Sequence, residues 1–180
     1  MPYYDKVILV LEGLFYMDKY YSLDFYNIIK DYYEHKEVQK MSKYKHHGIT
    51  RLEHSLRVSY YTYVITKFLR LNYREATIAA MLHDFFLDEV NDEKSISRLR
   101  LHADYAVINS KKYFNINEKQ EDIIRRHMFP VTFTPPKYLE GWIVDIVDDF
   151  SAVYERGYEI EKKARGYVSV LVLMLISFIR

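Results

Sequence analysis

The sequence predicts an all-α protein, a single bundle of about eight helices. Apolar residues recur at spacings of three and four along nearly the whole chain, which is typical of helices that bury one face. Several of these segments begin with a side chain that can cap a first helical turn, and no segment alternates convincingly as a strand would. The 180 residues include five Gly and four Pro, so turns are few. A chain of this length suits one domain with one core.

The first helices are predicted from their capping residues. Ser22 can cap a helix that runs to about Met41. Thr50 and Glu53 match a capping box, in which each side chain accepts a hydrogen bond from the backbone N–H of the other residue. The helix that follows is expected to reach about Arg70. We expect a core over about 44–156, on which N-terminal helices within 3–41 and a C-terminal helix over 158–180 pack.

A second capping box, Asn117 with Gln120, begins a later helix. This helix must end near His127, because Pro130 disfavours α geometry at the residue before it. The other helices are predicted from periodicity alone and span about Arg74 to Leu87, Ser95 to Phe114 and Lys137 to Arg156.

Apolar periodicity assigns an inward face to two of these helices. In the helix that follows Thr50, the face consists of His54, Val58, Tyr61, Ile65 and Phe68. In the helix over 137–156, it consists of Ile143, Ile146, Val147, Phe150 and Tyr154. Asp148 shares its side of the latter helix with small or apolar residues, whereas Asp145 and Asp149 lie with Arg156 on a face expected to be solvated.

The composition limits the classes of function. The chain has 26 Lys and Arg against 25 Asp and Glu, a formal net charge of +1, so it lacks the positive charge that attracts duplex nucleic acid. It has no cysteine, which excludes a disulfide scaffold and a thiolate metal site. His, Asp and Glu are therefore the expected ligands of any metal.

The terminal segments predict neither export nor a membrane span. The stretch 7–17 follows Asp5, is interrupted by Glu12 and has no basic region before it, so we expect no signal peptide and a cytoplasmic protein. The apolar run 168–179 is too short to cross a bilayer. It is predicted to be a buried helix, with a helix that faces a partner or a membrane surface as the alternative.

The dipeptide His83-Asp84 carries the most chemical information. It lies in an apolar segment that is predicted to be a central helix, and a buried carboxylate is costly unless it is paired or bound to a cation. A hydrogen-bonded His–Asp pair would satisfy it, as would a metal ion. Four further residues of ligand type occur on separate predicted helices: His54, His102, His127 and Asp148.

The order of these residues resembles the HD-domain superfamily of metal-dependent phosphohydrolases. The resemblance covers about residues 44–156 and extends to the surrounding motifs, which are similar to those of bacterial HD-domain hydrolases. These are His46-His47-Gly48, Thr50-Arg-Leu-Glu-His54, Leu82-His-Asp-Phe-Phe-Leu87, His127-Met-Phe-Pro-Val-Thr132, Pro135-Pro-Lys-Tyr138 and Asp148-Asp-Phe-Ser-Ala-Val-Tyr-Glu155.

The resemblance implies a metal centre and a reaction. One divalent metal would be held by His54, His83, Asp84 and Asp148, and a second by His102 and His127, with Asp84 bridging the two. An imidazole-rich set suits Fe, Mn, Ni, Co or Zn. Asp84 would also orient the water that attacks the substrate. The substrate would be a small phosphorylated molecule, and nucleotides are among the candidates. The protein could also form a homo-oligomer.

The phosphate is expected to meet cationic donors from Arg51, Lys137 and His47. Members of the family often have Lys or Arg directly after the last aspartate, where this sequence has Asp149. No Gly-Tyr-Pro signature follows the His-Asp pair, so the cyclic-di-GMP phosphodiesterase subgroup is not supported. Two other classes stay open at this point: a di-iron oxygenase of the same fold, and an inactive module that binds a metal or ligand.

Overall fold

The computed structural model describes residues 22–46, 48–87 and 96–157, with the side chains of 46 and 96–100 excepted. The described residues form seven α-helices, as the all-α prediction requires. We number them α1 (Leu23–Tyr33), α2 (Lys36–Gln39), α3 (Arg51–Phe68), α4 (Tyr73–Leu82), α5 (Ile96–Tyr113), α6 (Glu118–Arg126) and α7 (139–157).

A 3₁₀ helix and a two-stranded hairpin lie between α2 and α3. The 3₁₀ helix, Lys40–Lys43, is followed by the strands β1 (Lys45–His46) and β2 (Ile49–Thr50), which pair antiparallel. Gly48 adopts a φ of 95° in the turn between the strands, a conformation that side chains with a Cβ rarely reach. This hairpin fixes the direction in which the chain enters α3.

Both predicted capping boxes are present. Thr50 Oγ1 accepts the Glu53 N–H at 3.2 Å, and Glu53 Oε2 accepts the Thr50 N–H at 2.7 Å. Asn117 and Gln120 form the same reciprocal pair at the start of α6. These caps satisfy backbone donors that would otherwise have no partner in the first helical turn.

The predicted helix from Ser22 to Met41 is wrong in its length. Ser22 does cap α1, since its Oγ accepts the Phe25 N–H at 3.2 Å, but the helix ends at Tyr33 and α2 begins at Lys36. His35 caps α2, and its ring packs against Tyr113 and Phe114 at the end of α5. The packing of His35 on the end of α5 therefore stabilises the break between α1 and α2.

The face that α3 turns to the core is more polar than the predicted stripe. His54 and Val58 are buried as expected, but Phe68 is 43% exposed. Four hydroxyl side chains on α3 are fully buried: Ser55, Ser59, Thr62 and Thr66. The helix packs extensively against α4, and Ser59 Oγ donates to the Thr77 carbonyl of α4 at 2.9 Å. Small side chains permit this close approach of the two helices.

The helix predicted over Arg74 to Leu87 ends earlier, at Leu82. His83 is the C-terminal capping residue, and Asp84 lies in the turn that follows. Asp84 is therefore not in mid-helix as the sequence predicted, although it is buried, with 4% exposure. In a turn, the Asp84 side chain does not have to follow the direction that side chains take in a helix.

The hydrophobic core lies between α1, α3, α4, α5, α6 and α7, with Phe25, Met41, Phe85, Ile123 and Val144 among its members. None of the helices in the described ranges is long and apolar enough to cross a membrane. The helices predicted before residue 22 and over 158–180 lie outside the described residues, so the single-domain organisation over 1–180 stays a prediction.

Candidate metal centre

Five elements bring six polar side chains together beneath the surface. The residues come from α3, the turn after α4, α5, the turn after α6, and α7, and all six are buried: His54, His83, Asp84, His102, His127 and Asp148. They are the six residues that the sequence singled out as metal ligands. Side chains so far apart in the chain meet only because the helices pack around them.

One part of the cluster centres on Asp148. Its Oδ1 lies 2.8 Å from His54 Nε2 and 3.6 Å from His83 Nε2. His83 Nε2 lies in turn 3.9 Å from Asp84 Oδ2. Imidazole nitrogens and carboxylate oxygens therefore converge from α3, α7 and the turn after α4.

The other part of the cluster centres on the second oxygen of Asp84. Asp84 Oδ1 lies 3.5 Å from His102 Nε2 and 3.9 Å from His127 Nε2. The two imidazole Nε2 atoms are 3.0 Å apart. The two oxygens of Asp84 thus face different histidines, and the carboxylate joins both parts of the cluster.

Two of the histidines are held in one tautomer by the backbone. His83 Nδ1 lies 2.7 Å from the Ala80 carbonyl, and His127 Nδ1 lies 2.7 Å from the Ile124 carbonyl. A carbonyl oxygen only accepts, so each Nδ1 carries a proton and donates it. In a neutral imidazole the Nε2 lone pair is then left facing the cluster.

This donor set fits transition-metal ions. His83 Nε2 is fully buried and makes no hydrogen bond within the described part of the chain, and a metal ion would be a natural partner for such an atom. Three overlapping groups have their ligand atoms within 4.8 Å of one another: His54–His83–Asp84, His83–His127–Asp148 and Asp84–His102–His127. These buried groups could therefore hold metal ions.

A family model, the HD domain, matches residues 51–153. The chain belongs to the HD domain family. The match covers more than half of the chain and includes all six clustered residues, so the resemblance found in the sequence is confirmed. No curated protein and no solved structure matches this HD-domain chain.

The electrostatics of the HD site follow from its burial and from its hydrogen bonds. Burial disfavours the charged form of His54, but hydrogen bonds to Asp148 and Glu155 outweigh this and raise its pKa to about 10. Burial, together with the electrostatic effect of the neighbouring His83 and His102 rings, lowers the pKa of His127 to about 3. Burial alone would raise the pKa of Asp148, yet His83 and His54 hold it well below its usual range.

Glu155 is a site residue that the sequence analysis did not assign. Its Oε1 and Oε2 lie 3.2 and 3.0 Å from His54 Nδ1, and its side chain is fully buried. Arg57 donates to Glu155 Oε1 at 2.5 Å. The signal was present in the sequence, because Glu155 lies seven residues, or two helical turns, after Asp148 and so on the same side of α7.

The turn that carries Asp84 is anchored from two other helices. Arg51 of α3 donates to the Phe86 carbonyl at 2.6 Å, and its guanidinium lies 3.6 Å from the centre of the Phe86 ring. Asn109 of α5 donates to the Phe85 carbonyl at 3.0 Å. Arg51 is only 7% exposed, so its evident role is to fix this turn, and its role in phosphate binding stays a prediction.

Lys137 and His47 are the other two residues predicted to bind the substrate. Lys137 lies in the loop between α6 and α7, where its side chain is 64% exposed and its backbone N–H donates to Asp122 at 3.0 Å. His47 lies outside the described residues. Neither role is tested by the geometry.

The prediction that Asp145 is solvated is wrong. Asp145 is 6% exposed, and its Oδ1 accepts the Phe129 N–H at 3.1 Å. Burial, together with the charge of Asp149, raises the pKa of Asp145 to about 7. The carboxyl thus holds the loop after His127 through a backbone contact that helical periodicity does not reveal.

We expect the contribution of Asp145 to the stability of chelator-treated protein to decline as the pH rises from about 4 to 7. Native Asp145 keeps its proton in this interval, whereas the unfolded chain loses it near pH 3.9, so the native state binds more protons. Asp145→Asn keeps an acceptor for Phe129 and removes the charge. After allowance for solvent screening, it should raise the free energy of unfolding at pH 8 by on the order of 1 kcal/mol. Urea titrations from pH 4 to 8 measure the free energy of unfolding of both proteins. Asp31→Asn, at an exposed position on α1, is the control. If Asp145→Asn kept the pH dependence of the wild type, the prediction would be contradicted.

Proposed function

We propose that this HD-domain protein is a metal-dependent phosphohydrolase that acts on a small phosphorylated substrate, with nucleotides among the candidates. One observation carries the proposal: the two carboxylate oxygens of Asp84 face two different sets of buried imidazoles. A single aspartate shared in this way suits a pair of metal ions. Known HD domains are typically metal-dependent phosphohydrolases, which supports the same reaction class.

The proposed ligands divide between two sites. His54, His83, Asp84 and Asp148 would hold one divalent ion, and Asp84, His102 and His127 would hold the other. The six side chains supply two carboxylate charges, fewer than the four positive charges of two divalent ions. The loaded centre would therefore stay positive and attract a phosphate dianion.

When bound, divalent ions in such a set acidify water and neutralise charge on a phosphoryl group. The reaction itself is a substitution at phosphorus: water adds, the bond to the ester oxygen breaks, and the alcohol leaves with a proton. Asp84 would orient the attacking water, and the position of its oxygens between both ligand sets supports this role. Phe86 packs against His102 with ring centres 5.2 Å apart and helps to keep bulk water from that side.

Other residues position the ligands or bind the phosphate. Glu155 holds the His54 ring through Nδ1, so that Nε2 faces the cluster. Lys137 projects from an exposed loop and is proposed, with Arg51 and His47, to meet the phosphate. No base-reading motif identifies the rest of the substrate.

The proposal is tested with metal-reconstituted protein. Chelator-treated protein is loaded separately with Mn, Fe, Co, Ni or Zn and assayed on phosphomonoesters, phosphodiesters and nucleotides. We expect phosphate-ester hydrolysis that chelator removes and metal restores. Protein that binds metal but hydrolyses no member of the panel would contradict the proposed activity.

Metal stoichiometry tests the dinuclear arrangement. We expect close to two transition-metal ions per chain by elemental analysis, because the six inward ligands exceed what one octahedral ion that also binds a reactive water can use. His102→Ala and His127→Ala should each lower the content to about one ion per chain and leave the fold intact. A wild-type content near one that neither substitution changes would leave a single metal site.

A further inference from the structure

The outer face of α7 carries a continuous apolar stripe. Its members are spaced along one side of the helix and are exposed as follows: Leu139 57%, Trp142 36%, Ile146 52%, Phe150 74% and Val153 68%. The sequence pattern placed Ile146, Phe150 and Tyr154 on the packing face of this helix, and that prediction is wrong: Tyr154 is 50% exposed as well. An exposed patch of this kind usually marks an interface.

The stripe is self-complementary in an antiparallel arrangement. Successive members are three, four, four and three residues apart, so the pattern reads the same in both directions from Ile146. A two-fold axis at Ile146 would set Leu139 against Val153 of the second copy, Trp142 against Phe150, and Ile146 against itself. Isologous interfaces require this property of a surface.

The area and charge of the stripe also suit a second copy. With Tyr154, the exposed side chains present on the order of 700 Å² per copy, close to the roughly 800 Å² that each partner contributes to a standard interface. None of the stripe residues is charged, so association would bury no ion. Asp149 lies at the edge of the stripe, where it can stay solvated.

We infer that α7 forms the interface of a homodimer, in which the helices of two copies pack antiparallel about Ile146. The inference does not depend on the catalytic activity, because the stripe lies on the side of α7 opposite to Asp148. Trp142 also packs edge-on against Phe129, with ring centres 5.2 Å apart. The interface therefore adjoins the loop that follows His127.

Light scattering of the full chain tests the assembly. We expect a particle of twice the 21.8 kDa chain mass at micromolar concentrations. Ile146→Asp should weaken the dimer at least tenfold, because it buries a charge at the axis. Ile108→Asp is the matched control, since Ile108 is 56% exposed on α5. A protein that is monomeric at all concentrations would overturn the inference, whether the rest of its own chain or another protein then covers the stripe. A dimer that Ile146→Asp leaves unchanged would overturn it as well.

Disulfide trapping tests the arrangement, and the chain is suited to it because it contains no cysteine. Ile146→Cys should form a covalent dimer under mild oxidation, whereas Ile108→Cys should not. An equimolar mixture of Leu139→Cys and Val153→Cys should cross-link one variant to the other. Cross-links of each variant mainly to itself would indicate parallel helices and overturn the antiparallel model.

Discussion

Replacing Asp84 by alanine is expected to lower metal content below one ion per chain and to reduce phosphate-ester hydrolysis by about a thousandfold or more. The reason is the position of the carboxylate, whose two oxygens face His83 on one side and His102 with His127 on the other. Its removal takes a ligand from both proposed sites. Elemental analysis and initial rates on reconstituted protein measure the two effects.

Thermal unfolding with and without chelator separates a metal role from a structural one. If Asp84 serves the metal, chelator should lower the melting temperature of the wild type, and metal-free Asp84→Ala should melt close to the metal-free wild type. Glu140→Gln is the control, because Glu140 is a buried carboxylate of α7 that binds Lys119 outside the cluster. A wild type that ignores chelator, together with a strongly destabilised Asp84→Ala, would contradict the metal-site proposal.

Glu155→Gln is expected to weaken metal binding by about ten- to a hundredfold while the protein stays folded. Glutamine keeps the size of the side chain but loses the charge that holds the His54 Nδ1 proton and the Arg57 guanidinium. Competition titrations of chelator-treated protein against a metal indicator measure the affinity. Nitrogen NMR of the imidazoles reports the accompanying change in the His54 tautomer, which a purely structural role would not produce.

Glu140→Gln is again the matched control, since it alters a buried, ion-paired carboxylate of the same helix and should leave metal affinity unchanged. Equal affinities in the wild type and Glu155→Gln would show that Glu155 does not position His54, and the proposed ligands would stand. Absence of metal binding in the wild type would instead remove the proposed function itself.

The cluster could be predicted from the sequence because residue types and short motifs reveal it. The His-Asp dipeptide, the other ligand-type residues and the two capping boxes are each visible within a few residues, and the structure brings the six polar side chains together as expected. Glu155 was also visible in principle, two turns beyond Asp148. Its function was hidden because a buried glutamate and a solvated one look alike in a sequence.

The features that the sequence missed depend on contacts between distant segments. The break before α2 is held by packing of His35 on the end of α5, and the burial of Asp145 depends on the backbone of the loop at Phe129. Apolar periodicity also fails on α7, because an exposed apolar stripe has the same spacing as one that faces the core.

The hydroxyl-lined face of α3 has a consequence for the metal centre. Ser55 and Ser59 let α3 lie close to α4, and this approach places the rings of His54 and His83 with their centres 5.4 Å apart. Two serines that are not ligands thereby help to set the distance between the two imidazole rings. If the site binds a metal ion as proposed, the volume of serine at these two positions would help to set the size of ion that fits, although neither serine is a ligand.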